Sequence, residues 1–106
     1  MKIIWSDFAA DMLKEIFIYH KEIAGNNIAR RILTMIFNAT RQLKQHPNSG
    51  QIESALEILK EGHRYLVVGN YKVVYKKVRE GVLITDIFDT RQNPSKINNP
   101  ERKPSK

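Results

Sequence analysis

Residues 63–94 read HRYLVVGNYKVVYKKVREGVLITDIFDTRQNP, three strand-like runs punctuated by two tight turns, and no other part of the chain restricts the fold as much. Arg64–Val68 is β-branched and alternating, and Gly69-Asn70 suits a two-residue hairpin turn. Tyr71–Val78 follows as a second strand, Arg79-Glu80-Gly81 turns the chain, and residues 82–89 make a third. Arg64, Lys72, Lys76 and Arg91 recur along this stretch with Tyr65, Tyr71 and Tyr75 between them. A sheet built this way sets fixed cations beside aromatic rings, which suits gripping phosphate and stacking on bases. A plain antiparallel sheet with one wet face has the same periodicity. Tyr71 and Tyr75 share parity, and Lys72 and Lys76 share the other. The expected arrangement points the tyrosines into a core and the lysines onto an open face.

What precedes the meander supplies that core. Lys2–Trp5 is a short apolar run followed by Ser6-Asp7, a natural N-cap and a first-turn anion. Ala9, Met12, Leu13, Ile16, His20 and Ile23 then fall at helical spacing, with Lys14, Glu15, Lys21 and Glu22 largely off that stripe. Gly25-Asn26-Asn27 stops this helix and offers a cap for the next. The second helix carries Ala29, Ile32, Ile36, Ala39 and Leu43, with Lys44 and His46 in its last turn and Pro47-Asn48-Ser49-Gly50 as its stop. Two amphipathic helices joined by so short a turn pack as an antiparallel hairpin. His20 is expected at the helix interface. Residues 51–62 admit either a helical turn or an extended connection. Beyond Pro94 the chain is polar, carries Pro100 and Pro104, and reads as a mobile basic tail over residues 95–106.

The order is strand, helix hairpin, three-strand meander. This predicts a single α+β domain over residues 1–94, with helices on one face of a mostly antiparallel sheet and the other face open for function. A chain of 106 residues holds one two-layer core and no second. Its formal charge of +7 favours an anionic partner: nucleic acid, a membrane surface or an acidic protein. With no cysteine it has neither a disulfide framework nor a thiolate zinc site. The opening MKIIWSDF meets Asp7 and Asp11 early, unlike a signal peptide, and no run approaches the roughly 20 apolar residues of a spanning helix. A soluble, intracellular protein is the expectation.

In order and spacing, IIWSDFAADMLKEI, LKQHPNSG, RYLVVGNYKVVYKK and VLITDIFDTRQNP together resemble the RelE/ParE superfamily of type II toxin–antitoxin toxins, over nearly the whole length to Pro94. The resemblance implies a cytoplasmic toxin held inactive by a cognate antitoxin in a hetero-oligomer. RelE-like members enter the ribosomal A site and cut mRNA. ParE-like members share the fold and inhibit DNA gyrase. Fold alone does not decide between them.

RNA cleavage needs the ribose 2′-OH deprotonated, the phosphorane charge stabilised and the leaving oxygen protonated. The resemblance sets Lys72 where RelE-like toxins place a strand arginine, and Arg91 near their arginine after the last strand. Arg64 is a further phosphate-binding candidate. For all three the plain alternative is a solvated strand charge or a structural ion pair. His63 is the candidate proton carrier if the protein is a nuclease, since only histidine has an unperturbed pKa near neutrality; a merely exposed loop-end histidine is the plain alternative. Nucleolytic relatives carry a Tyr or a His-Tyr pair shortly after the last strand, and residues 90–97, TRQNPSKI, contain neither. Asp86 and Asp89 point to opposite faces of a strand and do not share an ion. No metal and no cofactor are expected, and Asp89 is expected to pair with Arg91 or cap the turn. The missing aromatic favours a ParE-like gyrase inhibitor over the mRNA endonuclease. A folded relic that only binds its antitoxin is the third reading.

Overall fold

In the computed structural model, which describes residues 1–99, five strands form one sheet in the order β1-β5-β4-β3-β2. Strand β1 (Lys2–Trp5) leads into helix α1 (Asp7–Ala24), followed by α2 (Asn26–Arg41) and a 3-10 turn, Gln42–Lys44. A two-residue strand β2 (Gln51–Ile52) precedes a second 3-10 turn, Ser54–Leu59. The meander is β3 (Arg64–Val68), β4 (Tyr71–Val78) and β5 (Gly81–Asp89), and a last 3-10 turn spans Pro94–Asn98. The α+β order anticipated from sequence is therefore present, with the helical hairpin on one face of a mostly antiparallel sheet.

Local chemistry explains the boundaries. Ser6 caps α1, its hydroxyl accepting from the Ala9 N–H at 3.0 Å. Gly25, at φ 91°, both closes α1 and begins α2. The asparagines anticipated as caps lie inside α2, which has no side-chain cap. In the meander, Val68 pairs with Tyr71 across Gly69-Asn70, with Gly69 at φ 58°. The second turn is tighter than anticipated, because Gly81 already pairs with Val78 and belongs to β5. Strand β1 pairs in parallel with β5, Lys2 opposite Gly81, and a Cβ at Gly81 would collide with the Lys2 carbonyl oxygen.

The core lies between the hairpin and the sheet. Met12, Leu13 and Ile16 of α1 and Ile36 of α2 pack with Leu43 against Tyr71, Val73 and Tyr75 of β4 and Val82, Ile84 and Ile87 of β5. Burying each such side chain stabilises the fold by about 1.5–3 kcal/mol. As anticipated, Tyr71 and Tyr75 belong to this layer. His20 joins it by sharing a 2.8 Å hydrogen bond with the Tyr71 hydroxyl. Ile23, assigned by spacing to the same stripe, is 62% exposed instead.

Two features were not legible as periodicity. A β-bulge places Val74 opposite Asp86 and Tyr75 opposite Ile84, so Thr85 is the extra residue of β5. Inward-facing positions shift from Val82 and Ile84 to Ile87 across it, which turns Asp86 and Phe88 to the second face. That face is not left open. Val74, Phe88, Asp86 and His63 are buried there, and Leu56 of the Ser54–Leu59 turn is buried with them. Residues 51–62 thus contain both conformations anticipated as alternatives. The tail anticipated from residue 95 opens with the Pro94–Asn98 turn, and its remainder, residues 100–106, lies outside the described residues.

Candidate functional site

Cross-strand register fixes which face each candidate occupies, since directly paired residues project to the same side. Arg64 is opposite Tyr75 and shares the helix-facing side with it. Its guanidinium donates to the carbonyls of Gly50 at 2.8 Å and Asn48 at 3.4 Å. Gly50 is clasped a second time, its N–H donating to the Tyr75 hydroxyl at 2.9 Å. Arg64 therefore fastens the segment that follows the helical hairpin to the sheet.

Lys72 is opposite Val67, on the second face. Its ammonium pairs with the Glu53 carboxylate at 2.8 Å and lies 4.2 Å from the centre of the Tyr65 ring. Glu53 is only 3% exposed, and its other carboxylate oxygen accepts from the Ala55 N–H, capping the Ser54–Leu59 turn. The pair ties that turn to β4. Lys76, on the same face, is held by Glu61 at 2.8 Å, which keeps the Glu61 carboxyl below its usual range. The lysines of this face, anticipated on an open side of the sheet, are each neutralised by a glutamate.

His63 is 7% exposed, and its Nδ1 has no hydrogen-bond partner. Nε2 lies 3.9 Å from Glu61. Burial pushes the imidazole pKa down and Lys76 adds to this, against a smaller opposing pull from Glu61 and Glu53. The ring is neutral at pH 7. It lines a cleft of about 290 Å³ with Asp86, Leu56, Leu59, Phe8 and Ile97, between the Ser54–Leu59 and Pro94–Asn98 turns.

Arg91 forms a bidentate pair with Asp89, Nε to Oδ1 at 2.9 Å and one terminal nitrogen to Oδ2 at 2.7 Å. The Arg91 backbone N–H also donates to Oδ1, closing the turn after β5. The guanidinium holds the Asp89 carboxyl below its usual range. Asp89 is opposite Tyr71, so this pair is set on the helix-facing side. Along the strand direction, Arg64 and Asp89, the partner of Arg91, are set apart by the Tyr71-to-Tyr75 stretch of β4, about 13 Å at the rise of a strand. They are on strands either side of β4.

The four candidates thus do not converge. Arg64 and Arg91 are set apart on one face, while Lys72 and His63 are on the other. Each cation already has an acceptor, and Lys76, the cation that acts on the neutral imidazole, is paired with Glu61. Among the described residues no group of three His, Asp or Glu side chains is placed to hold a metal ion. No helix is long and apolar enough to cross a membrane.

Sequence reasoning did not find the exposed apolar side chains of the hairpin. Ile18, Tyr19 and Ile23 of α1 and Ile28, Met35 and Phe37 of α2 are exposed. Spacing carried a signal for them: both helices have more apolar residues than one stripe can hold. Also exposed are Ile52 of β2, Val67 of β3, and Ile58 and Leu59 of the Ser54–Leu59 turn; β2 pairs only with Arg64 and Tyr65. The outer edge of β3 beyond Tyr65 is unpaired among the described residues.

A family model described as the ParE toxin of type II toxin-antitoxin system, parDE, matches residues 3–94. Among solved structures, the chromosomal ParDE TA system from P. aeruginosa contains a similar chain, with a TM-score of 0.72 at 18% identity. The match covers 84% of this chain and 95% of that one, which establishes a shared fold. A search of curated protein sequences finds no match.

Proposed function

The chain belongs to the ParE toxin family of type II toxin–antitoxin systems, and from that premise we propose a growth inhibitor that acts by binding, with DNA gyrase as target and a cognate antitoxin as silencing partner. The observation that carries binding over RNA cleavage is the dispersal of the nuclease candidates. Transition-state stabilisation needs donors aimed at one developing charge. Here Arg64, Lys72 and Arg91 serve a carbonyl, a buried carboxylate and a turn aspartate, on two faces of a sheet.

The antitoxin reading is supported by the apolar side chains that the hairpin leaves in water. An amphipathic helix or extended segment laid over Ile18, Tyr19 and Ile23 would bury them, and the unpaired edge of β3 offers a strand's worth of backbone groups. Both partners put the working protein in the cytoplasm.

Two assays decide the target: transcript mapping by primer extension after controlled expression in bacteria, and gyrase supercoiling with the purified chain. Blocked supercoiling with intact mRNA is the expected result. Ribosome-dependent cuts with normal supercoiling would replace this reading with an mRNA interferase. Neither effect, with antitoxin binding retained, would mark a relic.

A further inference from the structure

The two helices of the hairpin differ sharply in charge. Helix α1 interleaves Asp7, Asp11, Glu15 and Glu22 with Lys14 and Lys21, as a solvated helix ordinarily does. Helix α2 has three arginines, Arg30, Arg31 and Arg41, and no acid. The acid-free run extends from residue 23 to residue 52, and with Lys44 it holds four cations of a chain whose net charge is +7.

These cations are outside. Ala29, Ile36, Thr40 and Leu43 define the inward side. At 100° per residue, Arg31, Thr34, Asn38, Arg41 and Gln45 fall on the opposite side, and all five are exposed. Arg30 and Lys44 flank them, also exposed. Among the described residues none of the four cations takes part in an ion pair, in contrast to Lys72, Lys76 and Arg91. Asn38, Arg41, Gln42, Lys44 and Gln45 line a shallow recess of about 480 Å³ whose lining contains no acid and no apolar side chain.

Helix stability does not account for this pattern. Arg41 and Lys44 suit the C-terminal end of a helix, but Arg30 and Arg31 are in its N-terminal half and gain nothing from the dipole. No acid occupies the first turn of α2. A stripe of arginine, lysine and amide side chains is the composition that contacts sugar–phosphate backbones.

We propose that the outward face of α2 and of the 3-10 turn that follows it, from Arg30 to Lys44, is a docking surface for the phosphate backbone of double-stranded DNA. From Arg31 to Lys44 the helix covers about 20 Å, roughly six base-pair steps of a duplex. Contacts of this kind read no bases, so the binding is independent of sequence. This surface is on α2 and the turn after it, whereas Ile18, Tyr19 and Ile23, over which the antitoxin segment is laid, are on α1. It is tested without any topoisomerase, so its failure leaves the gyrase reading standing.

The test is fluorescence anisotropy of a labelled duplex of about 20 base pairs titrated with the full chain over a series of KCl concentrations. If all four cations engage phosphates, log K should fall with log salt at a slope of about −3.6. The double variant Arg31→Gln/Arg41→Gln should flatten that slope by about 1.8 and weaken binding roughly tenfold or more at 0.1 M salt. Both positions are exposed, and circular dichroism checks that the helices persist. Lys14→Gln/Lys21→Gln on α1 is the control for net charge alone. Equal weakening by the control, no measurable duplex binding, or tighter binding to a single-stranded RNA of equal length would each overturn the proposal.

Discussion

Replacing Tyr75 with phenylalanine isolates the clasp on Gly50. Tyr75 is fully buried, and its hydroxyl accepts the Gly50 N–H at 2.9 Å. The surroundings of Gly50 are tight: a Cβ there would sit 2.6 Å from the Tyr75 hydroxyl oxygen and 2.7 Å from the Tyr65 carbonyl oxygen. The void left by one oxygen is smaller than a water needs, so the amide would go unpaired. An unsatisfied buried donor costs about 1–3 kcal/mol, partly offset because a buried hydroxyl is removed as well, leaving about 1–2 kcal/mol. For a domain of 106 residues the unfolding entropy is about 0.22 kcal/mol/K, so Tm should fall by about 5–9 °C. Thermal melts followed by circular dichroism read this directly. A shift under about 2 °C would refute the reasoning, since Gly50 would then have another partner. The variant also serves as a control. Arg64 holds the same residue through its carbonyl, so an Arg64 variant loosens this segment as well as removing a charge. Tyr75→Phe loosens it with all charges in place.

Lys72→Met should destabilise the fold by about 3 kcal/mol, because it strands the buried Glu53 carboxylate, and Glu53→Gln in the same chain should recover most of the loss. Urea midpoints decide this, and a single variant as stable as the wild type would show the pair to be dispensable. His63 gives the fold a pH dependence. Its folded pKa is depressed, so between its unfolded value near 6.5 and the folded value the unfolded chain takes up a proton that the folded one refuses. Stability should be full above pH 6.5 and decline as pH falls below it, and His63→Leu should flatten that decline. Equal slopes for the two proteins between pH 7.5 and 5.5 would exclude His63 as the cause. Gly81→Ala should detach β1, seen as loss of hydrogen-exchange protection at residues 2–5 with β3 and β4 still protected, because its methyl collides with the Lys2 carbonyl; retained protection would mean that β1 shifts without unpairing.

Helical spacing made the hairpin legible, because each i, i+3 and i, i+4 relation is contained within one element. The Gly69-Asn70 turn was legible for the same reason. Residues 51–62 were not: a two-residue strand and a 3-10 turn are set by partners distant in sequence, Arg64 and Tyr65 for one and the Glu53–Lys72 pair for the other. Parity placed Tyr71, Tyr75, Lys72 and Lys76 correctly on β4. Relating Arg64 to Lys72 required the pairing register, which the hairpin turn sets but residue types do not display. Once Val68 is opposite Tyr71, Arg64 must face the helices. Tyr65, read alongside the other tyrosines, falls on the opposite face and lies under the Lys72 ammonium. The bulge at Thr85 likewise leaves no mark in the hydrophobic pattern. Ion partners were hardest to foresee, since Glu53 and Glu61 meet their lysines only through the sheet.

The parallel pairing of β1 with β5 imposes an order on biosynthesis. Lys2 is made 79 residues before Gly81, its opposite number. At ordinary elongation rates of 5–20 residues per second, that interval is about 4–16 seconds. For this time the opening strand has no mate, and α1 and α2 have no finished sheet to rest on. A nascent chain arrested before Gly81 should be cut by protease throughout, and protection there would contradict the argument. The fold therefore closes only once β5 has been made, and an antitoxin that recognises the folded surface has nothing to hold until then.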